Sequence, residues 1–507
     1  MSYSIKNAHI LIDALAKSGV ALFCIAPGSR STALTIAAAK RSTCVHFDER
    51  ALGFYAQGHA KATKKPTAII VTSGTAVGNL LPSIMEAKEN SAPVLILSAD
   101  RPLELLHAGQ NQTTTQTSIF SPFVCWQTAL FLSDPGLKKA TIDSIAAYSI
   151  WRLQKGPIHL NLLLREPFSG AFSQEKNDLK AIPSYTTPQI KKVAIDIPPC
   201  KGDTWILVGE NQQDLSCVGA LSTKYSWPIF CDPLSNIDHP LAHRSFELWI
   251  DQVEKRPKNI LHFGGRFVGK HLFEWLQKKP PPFYGYVHED ENCFDPFRLI
   301  THRFCMPPAL FCPHVKGDKG PDLSSFTSFK KPLSLQERYL QTLGALLPDQ
   351  WGIFWGNSTV IRDAANAFYS PFQPPSFGNR GVSGIDGNIA SICGIAKGKN
   401  RPFVGVIGDL AFLHDSNSCS LIKNSALPIL LIVLNNQGGE IFRRLPIEES
   451  SENIDRFFVT KHAFSFEGIA KSFQIPYARV QSIDMFSKSM KKIFNMKKSA
   501  LVEVTLT

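Results

Sequence analysis

A strand–helix–strand pattern near the C-terminus constrains the fold most strongly. Residues 403–407 are apolar, a helix-compatible segment covers about 411–423, and a second apolar run covers 429–434. Short apolar runs separated by one helix are typical of buried parallel strands joined by a crossover. The pattern therefore predicts a βαβ unit within a parallel sheet.

Polar residues follow both apolar runs. Asp409 comes after the first run and Asn436 after the second. Because the carboxyl ends of neighbouring parallel strands meet at one edge of a sheet, where ligands bind, the two side chains can converge there. Together with a carbonyl that the following glycine turn leaves free, they make a hard oxygen site of the kind that Mg²⁺ shares with a diphosphate. The same residues also fit an acidic turn and an Asn-containing turn without any ligand.

The helix–strand alternation occurs in three parts of the chain. It covers residues 1 to about 170, resumes after residue 200 and again after 335, and polar segments at 169–200 and 312–332 separate the parts as predicted linkers. We therefore expect an α/β protein of three Rossmann-like, doubly wound domains. The predicted domains are residues 1–175, 195–325 and 335–507.

Two segments carry a family resemblance. Residues 408–415 read Gly-Asp-Leu-Ala-Phe-Leu-His-Asp and residues 435–442 read Asn-Asn-Gln-Gly-Gly-Glu-Ile-Phe. They resemble the cofactor-binding motif of thiamine diphosphate (ThDP)-dependent enzymes, although the third motif residue, often Gly, is Leu410 here. Within that superfamily they are similar to the 2-succinyl-5-enolpyruvyl-6-hydroxy-3-cyclohexene-1-carboxylate synthase (MenD-type) family. The resemblance implies a pyrimidine-binding first domain and a diphosphate-binding third domain, and it is patchier in the middle domain.

The resemblance implies a cofactor site. Asp409, Asn436 and the Gly438 carbonyl are expected to hold Mg²⁺ or Mn²⁺ beside the diphosphate of ThDP. Glu49 is expected to be the catalytic carboxylate on the aminopyrimidine ring, and its alternative is an acid favoured by a helix N-terminus. Ile385 resembles the bulky residue that bends the cofactor, and its alternative is a core aliphatic. The other predicted cofactor contacts are Thr72, Ser73, Gly74, Ser383, Gly408, Leu410, Ala411, Gly439, Ile441 and Phe442.

The resemblance also implies two substrates and a transferase reaction. ThDP-dependent decarboxylation of 2-oxoglutarate would leave a succinic semialdehyde carbanion, which adds 1,4 to isochorismate and gives the synthase product and CO₂ in menaquinone biosynthesis. The predicted substrate residues are Ser29, Arg30, Arg101, Gln112 and Lys270 for isochorismate, Ser358, Arg362 and Arg380 for the oxo acid, and Phe442 and Leu445. His271 stands where some relatives have Arg, so one acceptor contact is expected to be weaker or pH-sensitive.

Several residue-level alternatives stay open for these substrate candidates. The turn at residues 28–32 also fits a helix cap, residues 100–112 fit a polar surface loop, and Arg362 fits a helix-surface Arg. At the level of function, another ThDP-dependent 2-oxo acid decarboxylase or carboligase is the main alternative. A non-catalytic ThDP-fold binding protein is a further one.

Composition excludes some other classes. The net charge is +12, but the basic residues are spread along the chain without a basic run interleaved with aromatics, so we expect anionic small substrates and not nucleic acid. The apolar runs are strand-sized, no signal-peptide pattern is present, and the 11 cysteines are scattered without a CxxC motif. We therefore predict a cytoplasmic protein without a membrane span. The resemblance further implies a homodimer or homotetramer with active sites between chains.

Overall fold

The computed structural model describes residues 2–106, 108–170, 182–186, 195–290, 292, 294–320, 332–368 and 374–506. The predicted domain boundaries at 175 and 325 lie outside these residues, so the boundaries stay predictions. Most of the two predicted linkers also lies outside them. No helix in the described ranges is both long and apolar enough to cross a membrane.

The N-terminal part of the chain forms a six-stranded parallel sheet in the order β2-β1-β3-β4-β6-β5. Its strands are β1 (Leu22–Ile25), β2 (Thr43–Val45), β3 (Thr67–Val71), β4 (Val94–Asp100), β5 (Trp126–Phe131) and β6 (Ile158–Leu163). The accompanying helices are α1 (Tyr3–Lys17), α2 (Thr32–Ala38), α3 (Glu49–Thr63), α4 (Thr75–Gly78), α5 (Leu81–Glu89) and α6 (Lys139–Arg152). Strand β5, largely half-buried at the sheet edge, was not among the predicted strands because it lacks a strongly apolar run.

The middle part forms a second six-stranded parallel sheet, ordered β12-β11-β10-β7-β8-β9. Its strands are β7 (Thr204–Val208), β8 (Ile229–Cys231), β9 (Ala242–His243), β10 (Asn259–Phe263), β11 (Phe283–Val287) and β12 (His302–Phe304). The helices are α7 (Ser216–Tyr225), α8 (His271–Lys278) and α9 (Pro308–Phe311).

The C-terminal sheet repeats the strand connectivity of the first sheet, in the order β14-β13-β15-β16-β18-β17. The strands are β13 (Gly352–Trp355), β14 (Ser376–Phe377), β15 (Phe403–Gly408), β16 (Ile429–Asn435), β17 (Tyr477–Val480) and β18 (Ala500–Thr505). The helices are α10 (Leu335–Leu346), α11 (Thr359–Ala367), α12 (Asn388–Lys399), α13 (Asp409–His414), α14 (Cys419–Lys423), α15 (Ser451–Ile454), α16 (Phe466–Ser472) and α17 (Ile483–Met496). Strands β15 and β16 are parallel neighbours, so the predicted βαβ unit and α/β class are confirmed.

The single helix predicted at 411–423 is wrong. Helix α13 begins at Asp409 itself, without an intervening turn, and a 3₁₀ turn (Ser416–Ser418) separates it from α14. The buried Asp415 explains the break, because its carboxylate binds Ser418 Oγ (2.7 Å) and the backbone N–H of Ile389 (2.7 Å). These tertiary contacts override a locally helix-compatible sequence.

The described residues fall into two compact units, one drawn from 1–188, 379–400 and 414–427 and the other from 189–378, 401–413 and 428–507. In the first unit, α12 packs directly on α3. Glycines permit that approach, since a Cβ at Gly394 would lie 2.1 Å from the Tyr55 carbonyl oxygen. In the second unit, Asn236 joins the middle and C-terminal sheets by accepting from the backbone N–H of Ser376 (2.7 Å).

Each sheet has a reversal of strand order between two of its central strands, and open α/β sheets bind ligands in the crevice at such a point. The reversal lies between β1 and β3 in the first sheet, between β7 and β10 in the middle sheet, and between β13 and β15 in the C-terminal sheet. In the first and C-terminal sheets, predicted site residues follow both strands at the reversal: Ser29 and Arg30 follow β1, Thr72 follows β3, Ser358 follows β13 and Asp409 follows β15.

Candidate active site

A cluster of oxygen atoms lies at the carboxyl ends of β15 and β16. Asp409 is buried, and its carboxylate accepts from the backbone N–H of Leu410 (2.7 Å) and of Gly438 (2.9 Å). Burial raises the pKa of Asp409, and these two N–H groups and the nearby His462 oppose that rise. The amide nitrogen of Asn436, when it faces the cluster, donates to the Gly438 carbonyl (2.6 Å) and to Asp409 Oδ2 (3.3 Å).

The donor set of this cluster fits a hard cation. If the amide of Asn436 turns over, its oxygen replaces the nitrogen and three oxygen atoms crowd together without a proton between them. A divalent cation such as Mg²⁺ takes such a set of carboxylate, amide and carbonyl oxygens. In the described ranges, no group of three or more His, Cys, Asp and Glu side chains could hold a metal ion. The candidate ligands in this cluster are instead one carboxylate and two neutral oxygen atoms. The fold brings Asp409, Asn436 and Gly438 together, and their role as ligands stays a prediction.

His462 belongs to this cluster and was not predicted. Its Nε2 lies 3.3 Å from Asp409 Oδ2 and, although buried, makes no hydrogen bond of good geometry. The backbone N–H of His462 donates to the Gln437 carbonyl (3.2 Å), and the ring stacks on Phe464 with centroids 5.3 Å apart. No periodicity or spacing marks this residue in the sequence, because only the tertiary fold returns residue 462 to the end of β16.

The segment after β16 is held close to the chain at residue 459. Gly438 has φ +150°, and a Cβ there would lie 2.5 Å from the Val459 carbonyl oxygen, so only glycine fits. The backbone N–H of Gly439 donates to that same carbonyl (2.7 Å). A 3₁₀ turn (Glu440–Arg444) follows, which contains Ile441 and Phe442 and leads to the exposed Leu445.

An ion pair that was not predicted ties this turn to α11. The guanidinium of Arg444 donates to both carboxylate oxygens of Asp363 (2.6 and 3.1 Å). Burial raises the pKa of Asp363, although the hydrogen bond from Arg444 acts to lower it. The same hydrogen bond raises the pKa of Arg444. Ser358 precedes α11, and its carbonyl accepts from Arg362 Nη1 (2.6 Å). Arg444 and Asp363 thus link the turn that holds Phe442 to the helix that holds Arg362.

In the first unit, Glu49 is the first residue of α3 and is partly exposed. Asp48 caps the helix by accepting from the backbone N–H of Ala51 (3.2 Å), which leaves the Glu49 carboxylate available at the helix start. Glu49 Oε2 accepts from Asn79 Nδ2 (3.3 Å). Both the predicted catalytic role and the alternative, a helix N-terminal acid, are compatible with this position.

Arg101 and Gln112 build a loop against Ser73. Ser73 Oγ donates to the Gln112 carbonyl (2.9 Å), and Gln112 Nε2 donates to the Ser73 carbonyl (3.0 Å). The guanidinium of Arg101 donates to the Gln112 carbonyl (3.0 Å), to Ser73 Oγ and to the Asn111 carbonyl. Burial lowers the pKa of Arg101. These contacts join Arg101 and Gln112 to Ser73 and to each other, and the predicted acceptor roles of Arg101 and Gln112 stay predictions.

Gln116 is a second residue that was not predicted. It is buried, its Oε1 accepts from the backbone N–H of Gly74 (3.0 Å), and its Nε2 donates to Asn161 Oδ1 (2.9 Å). Gly74 has φ +76°, a conformation that favours glycine, and it directly precedes α4. Gln116 therefore holds the predicted cofactor segment that contains Thr72, Ser73 and Gly74.

Two further predicted substrate residues, Arg30 and Lys270, have defined surroundings, as does His271 beside Lys270. Arg30 donates to the Leu164 carbonyl (3.1 Å) and lies 4.8 Å from the centroid of the Phe168 ring. Burial, and next the neighbouring Arg101, lower the pKa of Arg30. Lys270 forms an exposed ion pair with Glu274 (2.8 Å), and the backbone N–H of the adjacent His271 donates to Glu247 (3.0 Å).

The loop at residues 379–387 carries Arg380, Ser383 and Ile385. Ser383 has φ +58°, and Ile385 is 36% exposed, so the alternative of a core aliphatic does not describe Ile385 in this chain. Asn388 donates to the Ile385 carbonyl (2.7 Å) at the start of α12. The predicted contacts of these residues with cofactor and substrate stay predictions.

Family models match all three parts of the chain. Residues 5–119 match the N-terminal TPP-binding domain of thiamine pyrophosphate enzymes, residues 202–352 the middle domain, and residues 356–504 the C-terminal TPP-binding domain.

Curated relatives match nearly the whole chain. The chain is 33% identical to the 2-succinyl-5-enolpyruvyl-6-hydroxy-3-cyclohexene-1-carboxylate synthase of Chlorobaculum tepidum, over 98% of this chain and 93% of that protein. It is 32% identical to the synthase of the same name from Photorhabdus laumondii, over 99% and 96%. Among solved structures, benzoylformate decarboxylase from Polynucleobacter necessarius superposes with a TM-score of 0.76 at 15% identity, covering 99% of this chain and 98% of that one. That likeness shows the fold.

Proposed function

The chain belongs to the 2-succinyl-5-enolpyruvyl-6-hydroxy-3-cyclohexene-1-carboxylate synthase family of thiamine pyrophosphate enzymes, and we propose that it catalyses the transferase reaction for which this family is named. In that reaction 2-oxoglutarate loses CO₂ and its remaining four-carbon unit is added to isochorismate, a step of menaquinone biosynthesis. The observation that carries the proposal is the convergence of Asp409, Asn436 and the Gly438 carbonyl at the end of neighbouring parallel strands.

Thiamine diphosphate, when bound, supplies the electron sink for decarboxylation and for the transfer of the acyl unit. Asp409, Asn436 and Gly438 would hold Mg²⁺ or Mn²⁺ beside its diphosphate. His462 places its ring Nε2 3.3 Å from Asp409 Oδ2, beside the same oxygen atoms. The segment Thr72–Gly74 and the residues Ser383 and Ile385 would hold the rest of the cofactor.

Glu49 would hold a proton at its carboxylate, facing a nitrogen of the aminopyrimidine ring. A carboxylate acts as a general acid or base only if it is free to reach its partner. The helix cap of α3 is supplied by Asp48, so Glu49 is not needed for it. Arg362 and Arg380 would bind the distal carboxylate of 2-oxoglutarate, and Arg30 and Lys270 would bind carboxylates of isochorismate.

We also propose a cytoplasmic homodimer or homotetramer in which two chains complete each site. Val45 and Phe47, which precede Glu49, are 61% and 60% exposed in the single chain. Contiguous exposed apolar patches mark surfaces that a partner covers, and we propose that Val45 and Phe47 are part of one. Sedimentation of the purified protein would measure the assembly, and an active monomer would contradict this part of the proposal.

The test is turnover of 2-oxoglutarate and isochorismate with and without ThDP and Mg²⁺, followed by mass spectrometry of the product and by CO₂ release. We expect the synthase product only when all four components are present. CO₂ release without isochorismate consumption would instead indicate another ThDP-dependent decarboxylase or carboligase. ThDP binding without turnover of either substrate would indicate a non-catalytic binding protein.

A further inference from the structure

A buried carboxylate on α5 accepts two hydrogen bonds from the loop at residues 379–387. Glu86 is 0% exposed, its Oε1 accepts from the backbone N–H of Gly381 (2.8 Å), and its Oε2 accepts from the backbone N–H of Val382 (2.8 Å). Asn90, one helical turn along, donates to the same Oε1 (2.7 Å). All of these residues belong to the first compact unit.

The two hydrogen bonds fix the backbone of the loop. A charged acceptor in a buried place makes strong hydrogen bonds, and one carboxylate that binds two consecutive N–H groups leaves the peptide between them little freedom. The approach requires glycine, because a Cβ at Gly381 would lie 2.9 Å from the Glu86 carboxyl carbon and from its backbone carbonyl oxygen. The close approach of α5 and the loop at this contact therefore depends on glycine at residue 381.

The two N–H groups that Glu86 binds, those of Gly381 and Val382, lie between the predicted functional residues of the loop. Arg380 immediately precedes them and Ser383 immediately follows, with Ile385 two residues further on. At its far end the loop is held by Asn388, which donates to the Ile385 carbonyl (2.7 Å). Glu86 is thus a contact from a separate element that sets the path of the chain from Arg380 to Ser383.

We propose that Glu86 is a positioning residue for substrate and cofactor binding, which acts by holding the loop that carries Arg380, Ser383 and Ile385. The proposal rests on the proposed function for the role of those three residues. It does not place Glu86 in contact with substrate or cofactor. Its effect is to present the loop in one conformation before either ligand arrives, which lowers the entropic cost of binding.

The first test is hydrogen–deuterium exchange of the Glu86→Gln variant. Glutamine keeps the shape of the side chain but offers one acceptor oxygen, so one of the two N–H groups then faces an amide nitrogen. Losing a hydrogen bond to a charged acceptor should speed exchange of the Gly381 or Val382 amide by about 10- to 150-fold. We expect α12 amides from residue 391 onward to keep their wild-type protection.

A matched control separates positioning from general destabilisation. Asp143 is another buried carboxylate of the same unit, paired with Lys139 on α6 and remote in sequence from the loop. Asp143→Asn should leave exchange at residues 380–385 unchanged. If Glu86→Gln and Asp143→Asn raise exchange alike across the unit, or if Glu86→Gln leaves residues 381–382 protected, the positioning role is wrong.

A second variant changes the loop instead of Glu86. Gly381→Ala leaves Glu86 in place but forces the loop away from it, and should reproduce the local rise in exchange if Glu86→Gln does not fold. For the active enzyme we expect both variants to raise the KM for 2-oxoglutarate about tenfold or more with a smaller change in kcat, as for lost preorganisation of binding groups. Unchanged KM together with a loosened loop would overturn the proposal.

Failure of the proposed function would look different. If wild-type protein turns over neither substrate, the function is wrong whatever Glu86 does. The role of Glu86 in holding the loop is then decided by exchange at residues 381–382 and by the ThDP-induced rise in melting temperature, which should be smaller in Glu86→Gln than in Asp143→Asn.

Discussion

The middle and C-terminal sheets both have a reversal of strand order between two central strands, but the connections that follow those strands differ. In the middle sheet the residues beyond β7 and β10 bind each other: Gly265 N–H donates to the Glu210 carbonyl (2.8 Å), and Glu210 N–H donates to the Arg266 carbonyl (2.9 Å). In the C-terminal sheet the chain beyond β15 turns straight into α13, and Asp409 at that point binds Gly438 beyond β16.

The difference teaches that strand order alone does not make a binding site. A reversal offers a crevice at the carboxyl ends of the strands, but backbone pairing between the two connections fills it. A Cβ at Gly209 would lie 2.1 Å from the Gly265 carbonyl oxygen, which shows how closely the connections of the middle sheet meet. The C-terminal sheet instead leaves a buried carboxylate beside an amide and a carbonyl oxygen.

The first sheet resembles the C-terminal sheet in this respect. Both have the same strand order, and in both a helix starts within seven residues of the end of each strand at the reversal, as α4 begins at Thr75 shortly after β3. Predicted site residues occupy those positions in both sheets. The comparison therefore predicts that substitutions at the reversals of the first and C-terminal sheets abolish ligand effects. A substitution at the backbone pairing of the middle reversal, which leaves Lys270 in place, should change stability alone.

The largest effect is expected from Asp409→Asn. The substitution keeps the shape of the side chain and removes the charge, so the oxygen cluster loses its one carboxylate. At 100-fold excess over Kd, ligand binding stabilises a folded protein by about 2.7 kcal/mol, and we expect that gain from ThDP and Mg²⁺ to vanish along with turnover. Calorimetry with and without both ligands measures it. A full ligand-induced rise in the variant would show that the cation binds elsewhere.

Glu49→Gln should separate chemistry from binding. Removing a general acid–base group slows a reaction by about 10²- to 10⁴-fold, whereas the metal and diphosphate contacts remain. We therefore expect a large loss of kcat with a ThDP-induced melting rise close to that of wild type. If the rise is lost as completely as in Asp409→Asn, Glu49 anchors the cofactor and does not activate it.

The ends of β15 and β16 could be predicted from sequence because their signals are local. An apolar run followed at once by Gly408 and Asp409 marks a strand and its functional end, and the second run ending in Asn436 does the same. Residues that join distant segments carry no such signal. Gln116, His462 and the pair Arg444–Asp363 are recognised only once the fold brings the segments together. The helix break at Asp415 was missed for the same reason, since amides of α12 hold that carboxylate.

A smaller effect, on stability alone, is expected from Gly209→Ala. The added methyl group would meet the Gly265 carbonyl, so the paired connections of the middle sheet must separate. Overpacking of this kind costs about 1–3 kcal/mol. We expect a lower melting temperature with an unchanged ligand-induced rise and unchanged kcat. A reduced rise would mean that the middle reversal takes part in cofactor binding, and the contrast between the sheets would fail.

The smallest effect concerns acid stability at the middle reversal. His262 lies in β10 just before the paired connections, and its Nδ1 is 3.1 Å from the Tyr284 hydroxyl. Burial lowers the pKa of His262 to about 3, with a further lowering from His288 and an opposing hydrogen bond at Gly265. Well above pH 6.5 the ring is neutral in both the folded and the unfolded chain, so His262 adds no pH dependence there.

As the pH falls from 6.5 towards 3, the unfolded chain takes up a proton at residue 262 and the folded chain does not. Stability therefore falls, by at most about 1.4 kcal/mol per pH unit for one group. His262→Gln cannot titrate, so the difference in unfolding free energy between wild type and variant should shrink or reverse in favour of the variant as the pH is lowered. Other buried histidines, such as His159 and His243, titrate in both proteins and cancel in this difference. Denaturant unfolding at pH 7, 6 and 5 measures it, and a difference that does not change with pH would show that His262 is protonated in the folded protein as readily as in the unfolded chain.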